Sequence, residues 1–173
     1  MIKDSEERRQ FDTGAVRDMQ KGKGRCDLMP LDVVKRLVSE NVGEKHVFNH
    51  LRDFLQSGDT SFLYKAFGSF CAYSDPDSAD SLQACIINNV LQVAIHFEEG
   101  AEKYGEGNWK KGLPAQCYID SAVRHYLKWL RGDTDERHDR AFLWNLMCCI
   151  WTCEHMPELN SYLKDGEKGV TEK

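Results

Sequence analysis

The sequence lacks the features that take a chain into a membrane or onto a nucleic acid. No stretch approaches the ~18 consecutive apolar residues of a membrane span, and residues 1–10 are too charged for the apolar centre of a signal peptide. The chain has 23 Lys plus Arg against 28 Asp plus Glu, a formal charge of -5, so it has no basic excess for binding a phosphate backbone. We therefore expect a cytoplasmic protein with neither a membrane nor a nucleic-acid partner.

Paired cysteines are also lacking. The chain contains 7 cysteines, an odd number without any Cys-x-x-Cys spacing, and in a reducing compartment this pattern is typical of free thiols. The alternative is a zinc site that includes Cys149 and Cys153, which lie one helical turn apart. A structural zinc site needs about four ligands, and the sequence offers no convincing second pair.

Proline is scarce, and the residues between the prolines show helical periodicity. The 4 prolines stand at positions 30, 76, 114 and 157, each where a helix is expected to begin or end. The pattern predicts an all-α fold in one domain over residues 1–160, followed by a mobile tail, 161–173, of low apolar content. The predicted helices cover residues 31–41, 46–57, 60–73, 78–104, 115–131 and 134–155.

Two segments do not follow the helical pattern. Residues 11–29 and 105–113 are rich in glycine and charge, and the second contains Trp109. Loops that combine glycine, cationic side chains and an aromatic ring suit a phosphorylated ligand with a base that can stack. The alternative interpretation is that both segments are solvated connectors.

Two pairs of carboxylates are predicted to face inward from separate helices. Glu98 and Glu102 continue an apolar stripe formed by Ile87, Leu91, Ala94 and Ile95. Glu136 and Asp139 lead directly into the apolar face of the 134–155 helix. Inward-facing carboxylates repel one another unless a cation or a shared proton neutralises them. Because oxygen ligands are typical of hard cations, this pattern favours Mg²⁺ or Mn²⁺ over zinc.

Nearby carboxylates have simpler interpretations. Asp133 and Asp135 suit the N-cap and first turn of the 134–155 helix, where a negative charge complements the helix dipole. Glu99 is spaced to form a surface ion pair with Lys103.

The 115–131 helix places a carboxylate and two cations on one side. Asp120, Arg124 and Lys128 follow one another at four-residue spacing, and such a face can bind phosphates beside a metal ion. The alternative is a surface ion pair between Asp120 and Arg124 that contributes only ~0.3–0.5 kcal/mol. His125 and His138 are isolated in the sequence, and isolated histidines are more often structural than ligands.

Six sequence blocks occur in a fixed order, which is more specific than any single short motif. They are FDTGAVRD at 11–18, KGRCDLMPL at 23–31, FEEGAEKYG at 97–105, NWKKG at 108–112, YIDSAVRH at 118–125 and GDTDERHDRAFLWN at 132–145. In these blocks the chain resembles the dATP/dGTP diphosphohydrolase family, relatives of the MazG-like nucleotide pyrophosphohydrolases. The resemblance implies a MazG-like helical bundle with an irregular N-terminal segment.

The resemblance also implies an activity and a metal site. The activity is Mg²⁺-dependent (or Mn²⁺-dependent) hydrolysis of a purine deoxynucleoside triphosphate to the monophosphate and pyrophosphate. The superfamily's metal signature, Glu-x-x-Glu and Glu-x-x-Asp, matches 99–102 and 136–139, whereas the helical face favours Glu98 over Glu99, so both remain candidates. The implied metal ligands are Glu98, Glu99, Glu102, Asp120, Glu136 and Asp139.

Further roles follow from the same resemblance. A spare carboxylate accepts the proton of the attacking water, while cations neutralise the phosphates; the catalytic set is Glu98, Glu99, Lys103, Arg124 and Lys128. The base is contacted from the NWKKG segment at 108–112, and the N-terminal segment at 11–30 folds over the nucleotide. The substrate-binding set is Arg17, Lys23, Arg25, Asn108, Trp109, Lys110, His125 and Asn145.

The resemblance further implies a homodimer or homotetramer. Residues 11–30 are expected to cover the substrate, residues 97–151 to carry the catalytic helices, and residues 32–96 to be specific to the subfamily. Two alternatives remain open: a His-Asp-type deoxynucleotide triphosphohydrolase, suggested by His125 and the His138-Asp139 pair, and a helical adaptor without turnover.

Overall fold

The structure is a computed structural model that describes residues 8–18, 45–74 and 81–163. Over these residues the fold is all-α with one small hairpin, β1 (Arg8–Gln10) and β2 (Val16–Asp18). The helices are α1 (Lys45–Ser57), α2 (Ser61–Ser74), α3 (Leu82–Tyr104), α4 (Ala115–Arg131) and α5 (His138–His155), with short 3₁₀ helices at Asn108–Lys111 and Pro157–Leu159.

The sequence periodicity is confirmed for most helices. The helices predicted at 46–57, 60–73 and 115–131 agree with α1, α2 and α4 to within one residue at each end. The predicted 31–41 helix lies outside the described residues, as do Pro30 and Pro76. Pro114 directly precedes α4, and Pro157 begins the last 3₁₀ helix.

The core is built around the packing of α5 against α4, with α2 and α3 also packed on α5. Three fully buried aromatic rings meet where these helices converge. Tyr126 of α4 stacks on Phe142 of α5 at a centroid distance of 5.0 Å, and Phe70 of α2 lies 4.9 Å from Phe142. Burying rings of this size supplies much of the apolar area that stabilises a domain.

The last long helix begins later than predicted. Gly132 ends α4 in the left-handed conformation, with φ 83°, and α5 begins at His138 instead of residue 134. The expectation that Asp133 and Asp135 cap this helix is wrong, because the residue before α5 is Arg137 and makes no side-chain cap. Asp133 accepts hydrogen bonds from Arg131, and Asp135 is engaged by His138.

The apolar stripe of α3 is exposed in the single chain. Ile87 is 51% exposed and Leu91 is 62% exposed, so the expectation that this stripe faces the core is wrong for one chain. The buried side of α3 instead carries Cys85, Val93 and His96. Periodicity detected the stripe correctly, but it does not distinguish a face buried within the chain from a face that has no partner inside it.

The N-terminal hairpin is the main departure from a purely irregular first segment. Its strands are antiparallel, with Arg9 opposite Arg17, and Gly14 occupies the turn at φ 78°. The Thr13 hydroxyl donates a hydrogen bond to the Gly112 carbonyl at 2.8 Å. The hairpin is therefore attached to the loop that connects α3 with α4.

The cysteines behave as predicted wherever they are described. Six are buried free thiols, Cys71, Cys85, Cys117, Cys148, Cys149 and Cys153, and Cys26 lies outside the described residues. Of the helices in the described ranges, none is long and apolar enough to cross a membrane. The segment after α5 packs back on the first helices, since Asn160 donates to the Gly58 carbonyl at 2.9 Å and Tyr162 lies 5.3 Å from Phe54.

Replacing Gly112 by Ala is expected to destabilise the protein more than the same change at Gly107. Gly112 adopts φ 72° and ψ 150°, a region almost restricted to glycine, and an added Cβ would lie 2.6 Å from the Met156 sulfur. Gly107 is left-handed at φ 70° but faces open space. We expect losses in the free energy of unfolding of about 3 kcal/mol and about 1 kcal/mol, respectively, in urea denaturation. Equal losses would contradict this account.

Candidate functional site

A cavity of about 690 Å³ lies between the hairpin, α3, α4, α5 and the loop that contains the 3₁₀ helix Asn108–Lys111, called the 3₁₀ loop below. Such a volume is in the range that holds a cofactor-sized or nucleotide-sized ligand. Predicted site residues among its lining residues are Arg17, Glu98, Asn108, Trp109, Asp120, Arg124, His125, Lys128, Glu136 and Asn145. Segments that are far apart in the chain therefore meet at one concave surface.

Aromatic rings form one part of the cavity wall. The Phe97 ring centroid lies 5.3 Å from that of Trp109 and 5.8 Å from that of Trp144, and all three residues line the cavity. The ring of Trp109 also makes an edge contact with the ring of Trp151, at a centroid distance of 5.1 Å. Rings held in this way present a rigid apolar surface on which a planar ligand can pack.

A buried ion pair forms a second part of the wall. Asp120 is only 2% exposed, and its carboxylate accepts a hydrogen bond from the Arg124 guanidinium. The alternative of a surface ion pair is therefore wrong in one respect: the pair forms, but it is buried. One turn further along α4, the Lys128 ammonium lies 3.4 Å from an Asp135 carboxylate oxygen. The predicted cationic side of α4 therefore lines the cavity. Each of its cations, Arg124 and Lys128, lies next to a carboxylate.

Two histidines meet beside these charges. Nδ1 of His125 lies 3.0 Å from Nδ1 of His138, and each of these nitrogens is 3.5 Å from Oε1 of Glu136. On the far side of its ring, Nε2 of His138 lies 2.8 Å from Oδ1 of Asp135. The turn between α4 and α5 therefore places two imidazoles and two carboxylates in one cluster.

Burial sets the charge state of the histidines at the cavity. Burial, followed by the neighbouring His138 and Arg124, lowers the pKa of His125 well below its ordinary value. Burial also lowers the pKa of His96 to about 4, against a smaller opposing influence of Glu99. At neutral pH both imidazoles are uncharged, so each has a lone pair that can accept a proton or bind a metal ion.

Arg17 brings a cation from the hairpin to the cavity. Its Nη2 donates to Oδ1 of Asn145 at 2.7 Å, and its guanidinium lies 5.8 Å from the Tyr118 ring centroid. Its other terminal nitrogen, Nη1, is buried and has no hydrogen-bond partner among the described residues. A buried guanidinium nitrogen without a partner is costly, so it favours an anion in the cavity.

Asn108 attaches the hairpin to the 3₁₀ loop. Its Oδ1 accepts from the Val16 amide at 3.1 Å, and its Nδ2 donates to the Val16 carbonyl at 3.0 Å. Both ends of the side-chain amide are thus used by the hairpin backbone, whereas the sequence had suggested a contact to the base.

Several predicted site residues do not line the cavity, namely Glu99, Glu102, Lys103, Lys110 and Asp139. Glu99 lies 3.4 Å from the Arg140 guanidinium. Glu102 is exposed, as is Glu98, although Glu98 does line the cavity. The expectation that these two glutamates point toward the core of the single chain is therefore wrong. Lys23 and Arg25 lie outside the described residues.

Asp139 is directed toward Arg137. Its two carboxylate oxygens accept from the guanidinium at 3.0 and 2.6 Å, and it lines a second, smaller pocket of about 310 Å³. Burial, the largest single influence, would raise the pKa of Asp139, but the hydrogen bonds from Arg137, the backbone amide of Arg140 and the charges of both arginines together lower it. The structure thus separates Glu136 from Asp139, and a role of Asp139 as a metal ligand stays a prediction.

The fold and the cavity define an all-α protein with one pocket that combines aromatic walls, cations, carboxylates and imidazoles. Residues 76–162 match the model of a family described as dATP/dGTP diphosphohydrolase, N-terminal, and the chain belongs to this family. The match covers about half of the chain and includes α3, α4 and α5 but not the hairpin. No curated protein and no solved structure matches the chain.

Sequence reasoning missed His138 and Asp135 as members of the site. Asp135 had been interpreted as a helix cap. His138 had been interpreted as a structural residue, or, with Asp139, as part of the alternative His-Asp enzyme. The available signal was their position: His125 and His138 stand on either side of the turn that begins at Gly132. A tight turn between antiparallel helices brings such residues together.

Replacing Asn108 by Ala is expected to loosen the hairpin. The change removes both hydrogen bonds to Val16, so the free energy of local opening should fall by about 1–3 kcal/mol. The Val16 amide should then exchange its hydrogen ~10–100-fold faster. Asn89→Ala is the matched control, because within the described ranges the Asn89 side chain donates a hydrogen bond to the Cys85 carbonyl of its own helix and none to the hairpin. Unchanged exchange in Asn108→Ala would contradict the assigned role.

Proposed function

We propose that the protein hydrolyses a purine deoxynucleoside triphosphate to the monophosphate and pyrophosphate. The observation that carries the proposal is the 690 Å³ cavity, in which an aromatic wall lies beside cations and carboxylates in a chain of the dATP/dGTP diphosphohydrolase family. A nucleotide needs these three kinds of contact, one each for its base, its phosphates and the metal ions bound to the phosphates.

The donor set of the cavity fits a hard divalent cation such as Mg²⁺ or Mn²⁺. Carboxylates of Glu98, Asp120 and Glu136 line it, and oxygen ligands of this kind suit these ions. These three residues would hold the metal, with Glu99, Glu102 and Asp139 as further proposed ligands. When bound, the ion neutralises phosphate oxygens and lowers the pKa of a coordinated water.

Three cations of the chain bind the triphosphate in this proposal. Arg17 offers its unpartnered Nη1, and Arg124 and Lys128 line the same cavity from α4. Guanidinium groups form paired hydrogen bonds to phosphate oxygens. Charge that develops on the leaving pyrophosphate is stabilised by the same groups, since they are already oriented before the reaction.

The base packs on the aromatic wall, and the hairpin closes over it. Phe97 and Trp109 supply the ring surface, and Val16 and Arg17 of β2 line the cavity from the hairpin side. Asn108 positions this cover by holding Val16. Attack of water on the α-phosphorus then breaks its bond to the bridging oxygen and releases pyrophosphate. The proton is accepted by whichever of Glu98 and Glu99 does not bind the metal.

Glu136→Gln is expected to reduce hydrolysis of dGTP or dATP in the presence of Mg²⁺ by at least about 100-fold, because the change removes a carboxylate charge at the cavity. The products are resolved by chromatography. Glu158→Gln, an exposed glutamate of the last 3₁₀ helix, serves as the matched control. Wild-type turnover of Glu136→Gln would remove Glu136 from the site, and wild-type turnover of both Glu102→Gln and Asp139→Asn would remove those two from the ligand set.

The same assay separates the two alternatives. Release of nucleoside and triphosphate would indicate a His-Asp-type enzyme, in which a neighbouring His-Asp pair binds metal; here the carboxylate next to His138 in sequence, Asp139, is engaged by Arg137. No turnover of any deoxynucleoside triphosphate with either metal would indicate an adaptor.

The proposal includes a homo-oligomer that buries the exposed face of α3. This face carries Leu82, Ile87, Val90, Leu91 and Ile95, which are between 39% and 62% exposed. A continuous apolar stripe on one helix is more than the scattered exposure usual in monomers. A second copy of the same chain can cover it in a homodimer or homotetramer.

Leu91→Glu is expected to shift the protein toward the monomer, with a dissociation constant raised by about 100-fold, because a charge would be buried in the interface. Light scattering after size exclusion measures the mass. Lys65→Gln, at an exposed position on α2, changes the net charge by the same amount and should leave the mass unchanged. A wild-type protein that is monomeric at all accessible concentrations would overturn this part of the proposal.

A further inference from the structure

The cluster at the turn between α4 and α5 contains a donor set that a site for Mg²⁺ does not need. Two imidazole nitrogens and one carboxylate oxygen form a triangle with sides of 3.0, 3.5 and 3.5 Å. Bonds of about 2.1 Å that meet at about 90–110° place their donor atoms about 3.0–3.4 Å apart. The three atoms are thus already spaced as three ligands on one face of a metal ion.

We propose that His125, His138 and Glu136 form a metal-binding triad that selects a first-row transition-metal ion, such as Fe²⁺, Co²⁺ or Zn²⁺, over Mg²⁺. Two histidines and one carboxylate are a common ligand set for these ions, because imidazole is a softer donor than carboxylate or water. Magnesium prefers oxygen ligands and retains its waters. The proposal goes beyond the hydrolase activity, since binding at the triad is measured without a nucleotide.

Asp135 orients one of the ligands. Its Oδ1 lies 2.8 Å from Nε2 of His138, so it favours the tautomer with the ring proton on Nε2. In that tautomer the lone pair is on Nδ1, the atom that faces His125 and Glu136. A carboxylate that holds the distal nitrogen of a ligating histidine is the usual partner of such a site. Asp135 is therefore a positioning residue of the triad.

Burial supports a cation at this place. The His138 side chain is 1% exposed, and those of His125 and Glu136 are each 15% exposed. At 3.5 Å the contacts to Glu136 are longer than charge-assisted hydrogen bonds, and among the described residues no hydrogen bond to its carboxylate is formed. A largely buried carboxylate without donors is unfavourable unless a cation compensates it.

The triad is open on the side of the substrate. His125, Glu136 and Asp135 all line the cavity, so the remaining coordination positions of a bound ion face the space where the phosphates are proposed to lie. Three protein ligands with open positions are typical of catalytic metal sites, whereas structural sites are closed by a fourth.

The test is metal uptake by the full chain without a histidine tag, after removal of metals with a chelator. We expect one equivalent of Co²⁺ to bind with visible ligand-field absorption and to remain bound in about a 100-fold excess of Mg²⁺. Absence of such binding by the wild-type protein would overturn the proposal, and the two imidazoles would then only share a proton.

Variants identify the ligands. His125→Gln should weaken Co²⁺ binding by more than ~100-fold, and Asp135→Asn by about 10–100-fold through loss of orientation. His155→Gln is the matched control, since His155 is an exposed residue of α5 that stacks on Trp151 and should bind as the wild type does. Circular dichroism verifies that each variant is folded; if the buried His138 does not tolerate substitution, His125 and Asp135 still decide the outcome.

Two results would overturn the assignment even if Co²⁺ binds. One is unchanged affinity in both His125→Gln and Asp135→Asn, and the other is loss of binding in Glu102→Gln with the histidine variants unaffected, which would place the ion among the predicted acidic ligands. Hydrolysis with Mg²⁺ is measured separately, so failure of the triad and failure of the hydrolase proposal are distinguishable.

Discussion

The packing of α4 against α5 is the interaction on which the rest of the site depends. The stacked rings of Tyr126 and Phe142, 5.0 Å apart, set how the two antiparallel helices face each other, and Phe70 closes the same cluster from α2. Site residues lie close to these rings along the chain. His125 directly precedes Tyr126, and the turn between α4 and α5 carries Asp135 and Glu136. A tightly packed core has few alternative arrangements. The packed rings of Tyr126, Phe142 and Phe70 therefore also fix the positions of the histidines and carboxylates at the cavity.

The hairpin is attached to this core by a few polar contacts in addition to the apolar packing of Ala15. Asn108 binds both backbone groups of Val16, and Thr13 binds Gly112. Contacts of this kind each contribute about 1 kcal/mol, much less than the helix interface. We therefore expect the hairpin to open more readily than the helices. The proposed function requires this of a segment that covers a ligand.

The sequence predicted the helices well because their pattern is local, and it predicted the site less completely because the site is not. The bounds of α1, α2 and α4 follow from periodicity and from Pro114. The inward direction of Glu98 and Glu102 does not follow, because the apolar stripe they continue is exposed and has no packing partner in the part of the chain that the structure describes. Likewise, Asp135 is a good capping residue in isolation, but His138 competes for its carboxylate, and the helix begins at residue 138. The His125–His138 contact joins residues 13 positions apart across a turn, which no local pattern encodes.

The charges that line the cavity explain why one site would need both hard and soft donors. The cavity is lined by five carboxylates, those of Glu98, Glu106, Asp120, Asp135 and Glu136, and by four cations, those of Arg9, Arg17, Arg124 and Lys128. Its formal charge is therefore -1 with the histidines neutral. A triphosphate is strongly anionic, and its entry would leave a large uncompensated negative charge in a partly buried space. In the proposed function, binding of the nucleotide would therefore be coupled to binding of divalent cations. Carboxylates alone release such ions readily, because Mg²⁺ keeps its water. An ion held by His125 and His138 would stay between turnovers, so that only the ions that accompany the phosphates need to be exchanged.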